Sequence, residues 1–197
     1  MFITFEGIDG SGKSTTLNHV AAALRERGHK VWTTREETET FIGDAIRTSI
    51  ANRLDPLCTT YLFLADRAEH AAEIEAHLAA GDIVLCDRFK HSTYAYQSVT
   101  LEGRVPDVPA FLDQLHAPIP LEPDHVVLFD VDPEVSVSRA EARGATTPYE
   151  KVAFLSKVRA AYLAQQDDRF TVLDANASLD ELTSAGVSAV LSFLASP

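Results

Sequence analysis

The N-terminal stretch reads Phe2-Ile3-Thr4-Phe5-Glu6-Gly7-Ile8-Asp9-Gly10-Ser11-Gly12-Lys13-Ser14. Its last eight residues match the pattern G-x-x-x-x-G-K-[ST] in full. The preceding residues are mostly apolar, which predicts a short buried strand, and Lys13 begins an amphipathic segment that predicts a helix. A strand that leads through this pattern into a helix is the arrangement that binds the phosphates of a nucleotide.

This loop offers positive charge to an anion in two forms. Its glycines let successive backbone N–H groups point into one concavity at a helix N-terminus, and Lys13 adds a full charge near the β and γ phosphates. The Ser14 hydroxyl is of the type that binds Mg²⁺ in such loops. We therefore predict that Mg-ATP is bound by Gly7, Ile8, Asp9, Gly10, Ser11, Gly12, Lys13, Ser14 and Thr15.

Short apolar runs alternate along the chain with longer amphipathic segments. The runs predict buried parallel strands at 2–6, 30–34, 83–87, 125–131 and 170–173. The longer segments predict helices at 13–27, 40–51, 56–80, 92–99, 108–116, 133–143, 149–166 and 179–195. Repetition of strand and helix predicts an α/β fold with a three-layer, doubly wound parallel sheet of about five strands and the topology of P-loop NTPases. We expect residues 1–197 to form a single domain.

Composition narrows the class of protein further. The 197 residues carry a formal net charge of −12, which repels nucleic acid and anionic lipid and favours a small-molecule enzyme. The N-terminus lacks a basic leader and no apolar run approaches the length of a membrane span, so we expect a cytoplasmic protein. The two cysteines, Cys58 and Cys86, have no metal-ligand spacing and predict reduced thiols.

A second strand end also carries charged residues. The run Ile83–Asp87 ends in a carboxylate, and Arg88 follows it. Asp87 is a candidate ligand of Mg²⁺, directly or through water. Arg88 beside it favours an anion site, because arginine can bind a phosphate with two parallel hydrogen bonds. A surface pair that caps the next helix is an equally good interpretation of these two residues alone.

The segment from residue 87 onward extends the pattern, since it reads Asp87-Arg88-Phe89-Lys90-His91-Ser92-Thr93-Tyr94-Ala95-Tyr96-Gln97. It resembles the thymidylate kinase family, whose pattern here is D-R-[YFH]-x-x-S-x-x-A-Y. The resemblance covers nearly the whole chain, because further segments follow the family in order: Phe5–Gly10, Thr34–Glu36, Leu62–Arg67, Asp130–Glu134 and Arg143–Gly144.

The resemblance implies phosphoryl transfer from Mg-ATP to deoxythymidine monophosphate (dTMP). In this interpretation the base lies against Phe63, Arg67 hydrogen-bonds its exocyclic oxygen, and Tyr96 closes over the 2′ position of the sugar, which disfavours ribose. Arg35 and Arg88 hold the acceptor phosphate. The remaining residues implied to bind the acceptor are Asp9, Ser92, Thr93 and Gln97.

The implied chemistry is alignment and charge neutralisation, since the acceptor is already an ionised phosphate. The expected catalytic residues are Asp9, Lys13, Arg88 and Arg143, with Ser14 and Asp87 at the metal. Arg143 belongs to a predicted lid at 139–150, and Arg139 lies behind it as a second candidate for contact with ATP. An alternative position for Arg143 is against the adenine ring.

Glu37 departs from the family, because many relatives have a proline there that shapes the pocket near the thymine methyl. The preference for thymine over uracil is therefore open. The segment Thr40-Phe41-Ile42-Gly43 resembles archaeal relatives, so the chain is expected to be a divergent, archaeal-type member.

Two other functions are consistent with the phosphate-binding loop. One is a deoxynucleoside kinase or another small P-loop kinase with a hydroxyl acceptor, in which Asp87 would act as a base. The other is a non-catalytic nucleotide-binding module. Relatives are commonly homodimers, which implies the same assembly here, and we expect a small-molecule partner with neither nucleic acid nor membrane.

Overall fold

The computed structural model of the protein describes residues 1–142 and 149–195. Its sheet has five parallel strands in the order β2-β3-β1-β4-β5. They are β1 (Phe2–Glu6), β2 (Val31–Arg35), β3 (Ile83–Asp87), β4 (His125–Asp130) and β5 (Phe170–Asp174). The predicted α/β fold with a parallel sheet of about five strands is confirmed.

Helices in the described ranges flank this sheet and agree with the sequence expectation to within a few residues. The helix after Asp87 begins at Lys90 instead of Ser92. In chain order the helices are α1 (Lys13–Glu26), α2 (Phe41–Ala51), α3 (Pro56–Ala79), α4 (Lys90–Thr100), α5 (Val108–His116), α6 (Pro133–Glu141), α7 (Tyr149–Leu163) and α8 (Leu179–Ala195).

The three central strands carry the continuous apolar runs because both of their faces are covered. Every residue of β1 is buried, whereas the edge strands β2 and β5 are partly exposed. Helix α1 packs against α8, and α4 packs against α7. Among the described residues, no helix combines the length and the apolar character that crossing a bilayer requires.

Strand register brings the functional segments to one edge of the sheet. Phe5 of β1 and Arg35 of β2 both pair with Asp87 of β3, so the three strands end side by side. The phosphate-binding loop leaves β1 at this edge and enters α1. Ligand sites of open α/β sheets lie beyond the carboxyl ends of the strands, which places the candidate site here.

Candidate active site

The phosphate-binding loop depends on glycine where its backbone passes close to other atoms. Gly7 has φ +137°, and a Cβ there would lie 2.5 Å from the Phe129 carbonyl oxygen of β4. Gly12 caps α1 with φ +90°, and a Cβ there would lie 2.9 Å from a Leu182 methyl. A larger residue at Gly7 would therefore clash with the backbone of the sheet, and one at Gly12 would be strained at positive φ and crowd the Leu182 side chain.

Lys13 is held inside the loop. Its Nζ donates a hydrogen bond to the Ile8 carbonyl at 3.2 Å, and the side chain is buried. Burial, followed by repulsion from Arg88, lowers the pKa of Lys13 to about 8. A phosphate beside Nζ would favour the charged form of Lys13, because an anion would offset the cost of burying this cation.

Ser14 and Asp87 lie together at the junction of α1 and β3. The Ser14 hydroxyl donates a hydrogen bond to the Asp87 carboxylate. Both are hard oxygen ligands, and Mg²⁺ in phosphoryl-transfer sites takes one or two protein ligands with phosphate oxygens and waters completing its shell. These two residues therefore fit the predicted magnesium site.

Arg88 occupies the centre of the site with φ +72°, in the left-handed region that non-glycine residues rarely adopt. One terminal nitrogen donates to the Gly7 carbonyl at 3.0 Å and to the Ser92 and Tyr162 hydroxyls at 3.1 Å each. The other donates to the Asp9 carboxylate at 2.5 Å. Attraction from Arg88 is the main cause that lowers the pKa of Asp9. Arg88 therefore joins the end of β3 to the phosphate-binding loop. It does not form the surface pair with Asp87 that was the alternative interpretation of the sequence.

Glu6 is a buried carboxylate that contacts residues on either side of this arrangement, Phe89 and Ser92. The sequence did not predict a role for it. Its buried carboxylate accepts hydrogen bonds from the Phe89 amide at 2.8 Å and from the Ser92 hydroxyl at 2.6 Å. Burial raises its pKa to about 7, against the attraction of Arg88. Tyr162 of α7, also missed, hydrogen-bonds the Ser92 hydroxyl at 2.7 Å. The available signal for Glu6 was a charged residue at the end of an otherwise apolar strand.

Two cavities meet at Asp9, Glu36 and Arg88, which line both. The smaller, of about 260 Å³, we call the phosphate cavity. The larger, of about 370 Å³, we call the acceptor cavity. Because the two cavities share these three residues, the phosphate-binding loop lies next to a pocket that is large enough for a nucleoside.

The acceptor cavity contains most of the residues predicted to bind the acceptor, and the phosphate cavity contains the remaining one, Arg35. Segments far apart in sequence therefore converge as expected, although the role of each residue remains a prediction. The acceptor cavity is lined by Asp9, Phe63, Arg67, Arg88, Ser92, Thr93, Tyr96 and Gln97 among others. The phosphate cavity is lined by Gly10, Gly12, Lys13, Ser14, Thr15 and Asp87 as well.

Arg67 is a buried cation in the wall of the acceptor cavity, with 1% of its side chain exposed. Its guanidinium forms a two-point ion pair with Glu36, and one terminal nitrogen contacts His116 Nε2 at 2.7 Å. Glu37 lines the same cavity, and burial raises the pKa of its carboxyl group. Of the two carboxylates that line this cavity besides Asp9, Glu36 is hydrogen-bonded to Arg67, whereas Glu37 lies 3.9 Å from a terminal nitrogen of Arg47.

Other predicted residues lie apart from the two cavities. Ile8 is buried in the core and Ser11 is fully buried in the loop. Arg139 donates to the carbonyl oxygens of Gly10, Ala175 and Ala177, so it joins the phosphate-binding loop to the segment after β5. Arg143 lies outside the described residues, as does the rest of the predicted lid between 143 and 148.

Comparison with known proteins agrees with this geometry. The family model described as thymidylate kinase matches residues 5–185. The chain is 40% identical over 197 residues to a probable thymidylate kinase of Methanosarcina barkeri, with 98% of this chain and 96% of the relative covered. It is 38% identical over 197 residues to the probable thymidylate kinase of Methanosarcina acetivorans, with the same coverage. It is 39% identical over 204 residues to the thymidylate kinase of Solidesulfovibrio magneticus, with 94% and 96% covered.

Proposed function

The chain belongs to the thymidylate kinase family, and we propose that it transfers the γ-phosphate of ATP to the phosphate of dTMP, giving ADP and dTDP. The expectation of an archaeal-type member agrees with the similarity to the Methanosarcina proteins. The observation that carries the function is the meeting of the phosphate cavity and the acceptor cavity at Asp9 and Arg88. Such a junction lets two phosphates face each other.

The phosphate cavity holds ATP. Amides of the loop and the charge of Lys13 bind the β and γ phosphates, and Ser14 and Asp87 are the residues that would hold Mg²⁺. A magnesium ion held there would supply positive charge to the transferred group. The hydrogen bond between Ser14 and Asp87 supports this assignment, since it places both oxygen ligands at one point.

The acceptor cavity holds dTMP. Phe63 offers an aromatic face to the base and Arg67 offers hydrogen-bond donors to an exocyclic oxygen. Tyr96 lies toward the phosphate end, since the Arg88 guanidinium is 5.4 Å from its ring centroid. At this position Tyr96 would crowd a 2′-hydroxyl, which favours deoxynucleotides.

Transfer requires alignment more than proton movement. Arg88 binds the acceptor phosphate from the junction and Arg35 binds it from the end of β2. Lys13 stabilises the γ-phosphate, and Arg143 supplies a further cation from the lid at 139–150. Removing one such donor commonly costs about 3–4 kcal/mol of transition-state stabilisation.

The assembly and location that we propose follow the family. The active protein is a homodimer of single-domain subunits, with 139–150 as the lid, and it acts in the cytoplasm on a small-molecule substrate. Its strongly acidic composition disfavours binding to nucleic acid at long range.

A coupled ADP-release assay with thymidine and dTMP as parallel acceptors tests this function. We expect dTMP to be phosphorylated faster, with dTDP as the product on chromatography. A Lys13→Met variant purified in the same way controls for contaminating kinases and should lose at least about 100-fold in kcat, because it removes the only cationic side chain within the loop pattern. Faster turnover of thymidine would support a hydroxyl acceptor instead and overturn the proposal.

A further inference from the structure

The Arg67 guanidinium poses an electrostatic problem, since a buried cation is destabilising unless it is paired. Glu36 provides the opposite charge. Its Oε1 accepts a hydrogen bond from Arg67 Nε at 3.2 Å, and its Oε2 accepts one from a terminal nitrogen of Arg67. Only 3% of the Glu36 side chain is exposed. The ion pair leaves the second terminal nitrogen of Arg67 in need of an acceptor.

His116, the last residue of α5, provides that acceptor. Its Nε2 lies 2.7 Å from this terminal nitrogen, and its Nδ1 lies 2.8 Å from the Leu112 carbonyl one helical turn earlier. A carbonyl can only accept, so Nδ1 carries the proton and Nε2 presents its lone pair to Arg67. Burial, then repulsion from Arg67, lowers the pKa of His116 to about 4, and the ring is therefore neutral at physiological pH.

These contacts restrict the direction in which Arg67 can point. Within the described part of the chain, three of its five N–H groups are used by Glu36 and His116, and its guanidinium carbon lies 4.9 Å from the centroid of the Phe89 ring. The two remaining N–H groups are available to the cavity that Arg67 lines. The orientation is set by side chains from three separate elements or connections, not by Arg67 alone.

We propose that His116 is a positioning residue, which holds Arg67 with its free N–H groups directed at the base of the acceptor nucleotide. This inference rests on the proposed function, because it concerns how the acceptor is bound. His116 itself does not line the acceptor cavity, so its effect on the substrate passes through Arg67. It should govern affinity for the acceptor and leave the binding of ATP unchanged.

The test compares two replacements of His116. His116→Leu removes the acceptor and leaves one Arg67 N–H unpaired, whereas His116→Gln keeps an oxygen acceptor near the position of Nε2. We expect the leucine variant to raise KM for dTMP at least about tenfold, because an Arg67 that is no longer held in place loses its charged hydrogen bond to the base, while kcat and KM for ATP change less than about twofold. The glutamine variant should recover most of the affinity.

His125→Leu is the matched control. His125 is 6% exposed against 7% for His116, and it also hydrogen-bonds through Nε2, to Thr171 at 3.1 Å. It lies at the start of β4, the opposite end of the strands from the site. Its replacement should lower the melting temperature and leave KM for dTMP unchanged.

Calorimetric titration with dTMP should show the same order of affinities as KM. An unchanged KM in His116→Leu, or equal rises in KM for dTMP and for ATP, would overturn the inference, as would a glutamine variant no better than the leucine variant. These outcomes are distinct from failure of the proposed function, which would appear as absent dTMP turnover in the unmodified protein.

Discussion

Replacing Arg88 by alanine is the sharpest test of the site, because this side chain joins the two cavities. The change keeps a Cβ at φ +72°, so the strain of the backbone stays as it is. It removes four hydrogen bonds, to Gly7, Ser92, Tyr162 and Asp9. One donor that stabilises the transferred group is worth about 3–4 kcal/mol, so kcat should fall about 100- to 1000-fold. Binding of Mg-ATP should change little, since the loop amides and Lys13 remain.

A coupled assay gives kcat and KM for dTMP, and titration calorimetry gives the affinity for Mg-ATP. Arg25→Ala is the control, since Arg25 is an exposed arginine whose guanidinium donates to the Val31 carbonyl at 2.9 Å, away from the cavities. It should retain full activity. A kcat for Arg88→Ala within about threefold of the unmodified protein would refute the placement of Arg88 at the reacting phosphates.

Three further changes test separate features. Asp87→Asn removes charge at the proposed metal site and should raise the Mg²⁺ concentration for half-maximal activity about tenfold or more; an unchanged Mg²⁺ titration would contradict the role. Glu37→Met makes the acceptor cavity more apolar and should increase the ratio of kcat/KM for dTMP to that for dUMP up to about tenfold, whereas a constant ratio would remove Glu37 from base selection. Gly43→Ala places a Cβ 1.9 Å from the Thr38 carbonyl and should lower the free energy of unfolding by about 1–3 kcal/mol in urea; equal stability would show that the α2 start can relax.

Elements of the fold were predictable where the signal is local. The sequence predicts a buried strand at Ile83–Asp87 because the run is almost entirely apolar, as is typical of a strand covered on both faces. The observed bounds of β3 agree with this prediction. The start of α4 was placed two residues late, since Lys90 occupies a variable position of the family pattern and Phe89, which caps the helix, makes no side-chain capping hydrogen bond. Helix boundaries depend on hydrogen bonds of the first turn, which periodicity does not report.

The sequence predicted which candidate residues would lie close together, but not the contacts between them. Resemblance brought Phe63, Arg67 and Tyr96 to one place, and all three line the acceptor cavity. It did not find His116, because a histidine at the end of an amphipathic helix has the same pattern whether it packs in the core or holds an arginine. Its role depends on a contact between residues separated by 49 positions.

The amino-acid sequence by itself determined the phosphate-binding loop, the alternation of strands and helices, and the family. These properties follow from short-range backbone preference and from periodic burial, which neighbouring residues encode. Tertiary structure alone decided that Arg88 joins Asp9 across 79 positions, that Glu6 is buried with a raised pKa, and that Arg67 is oriented from two sides. The physical reason is that orientation and protonation depend on which distant groups exclude water from a charge, and only packing brings those groups together.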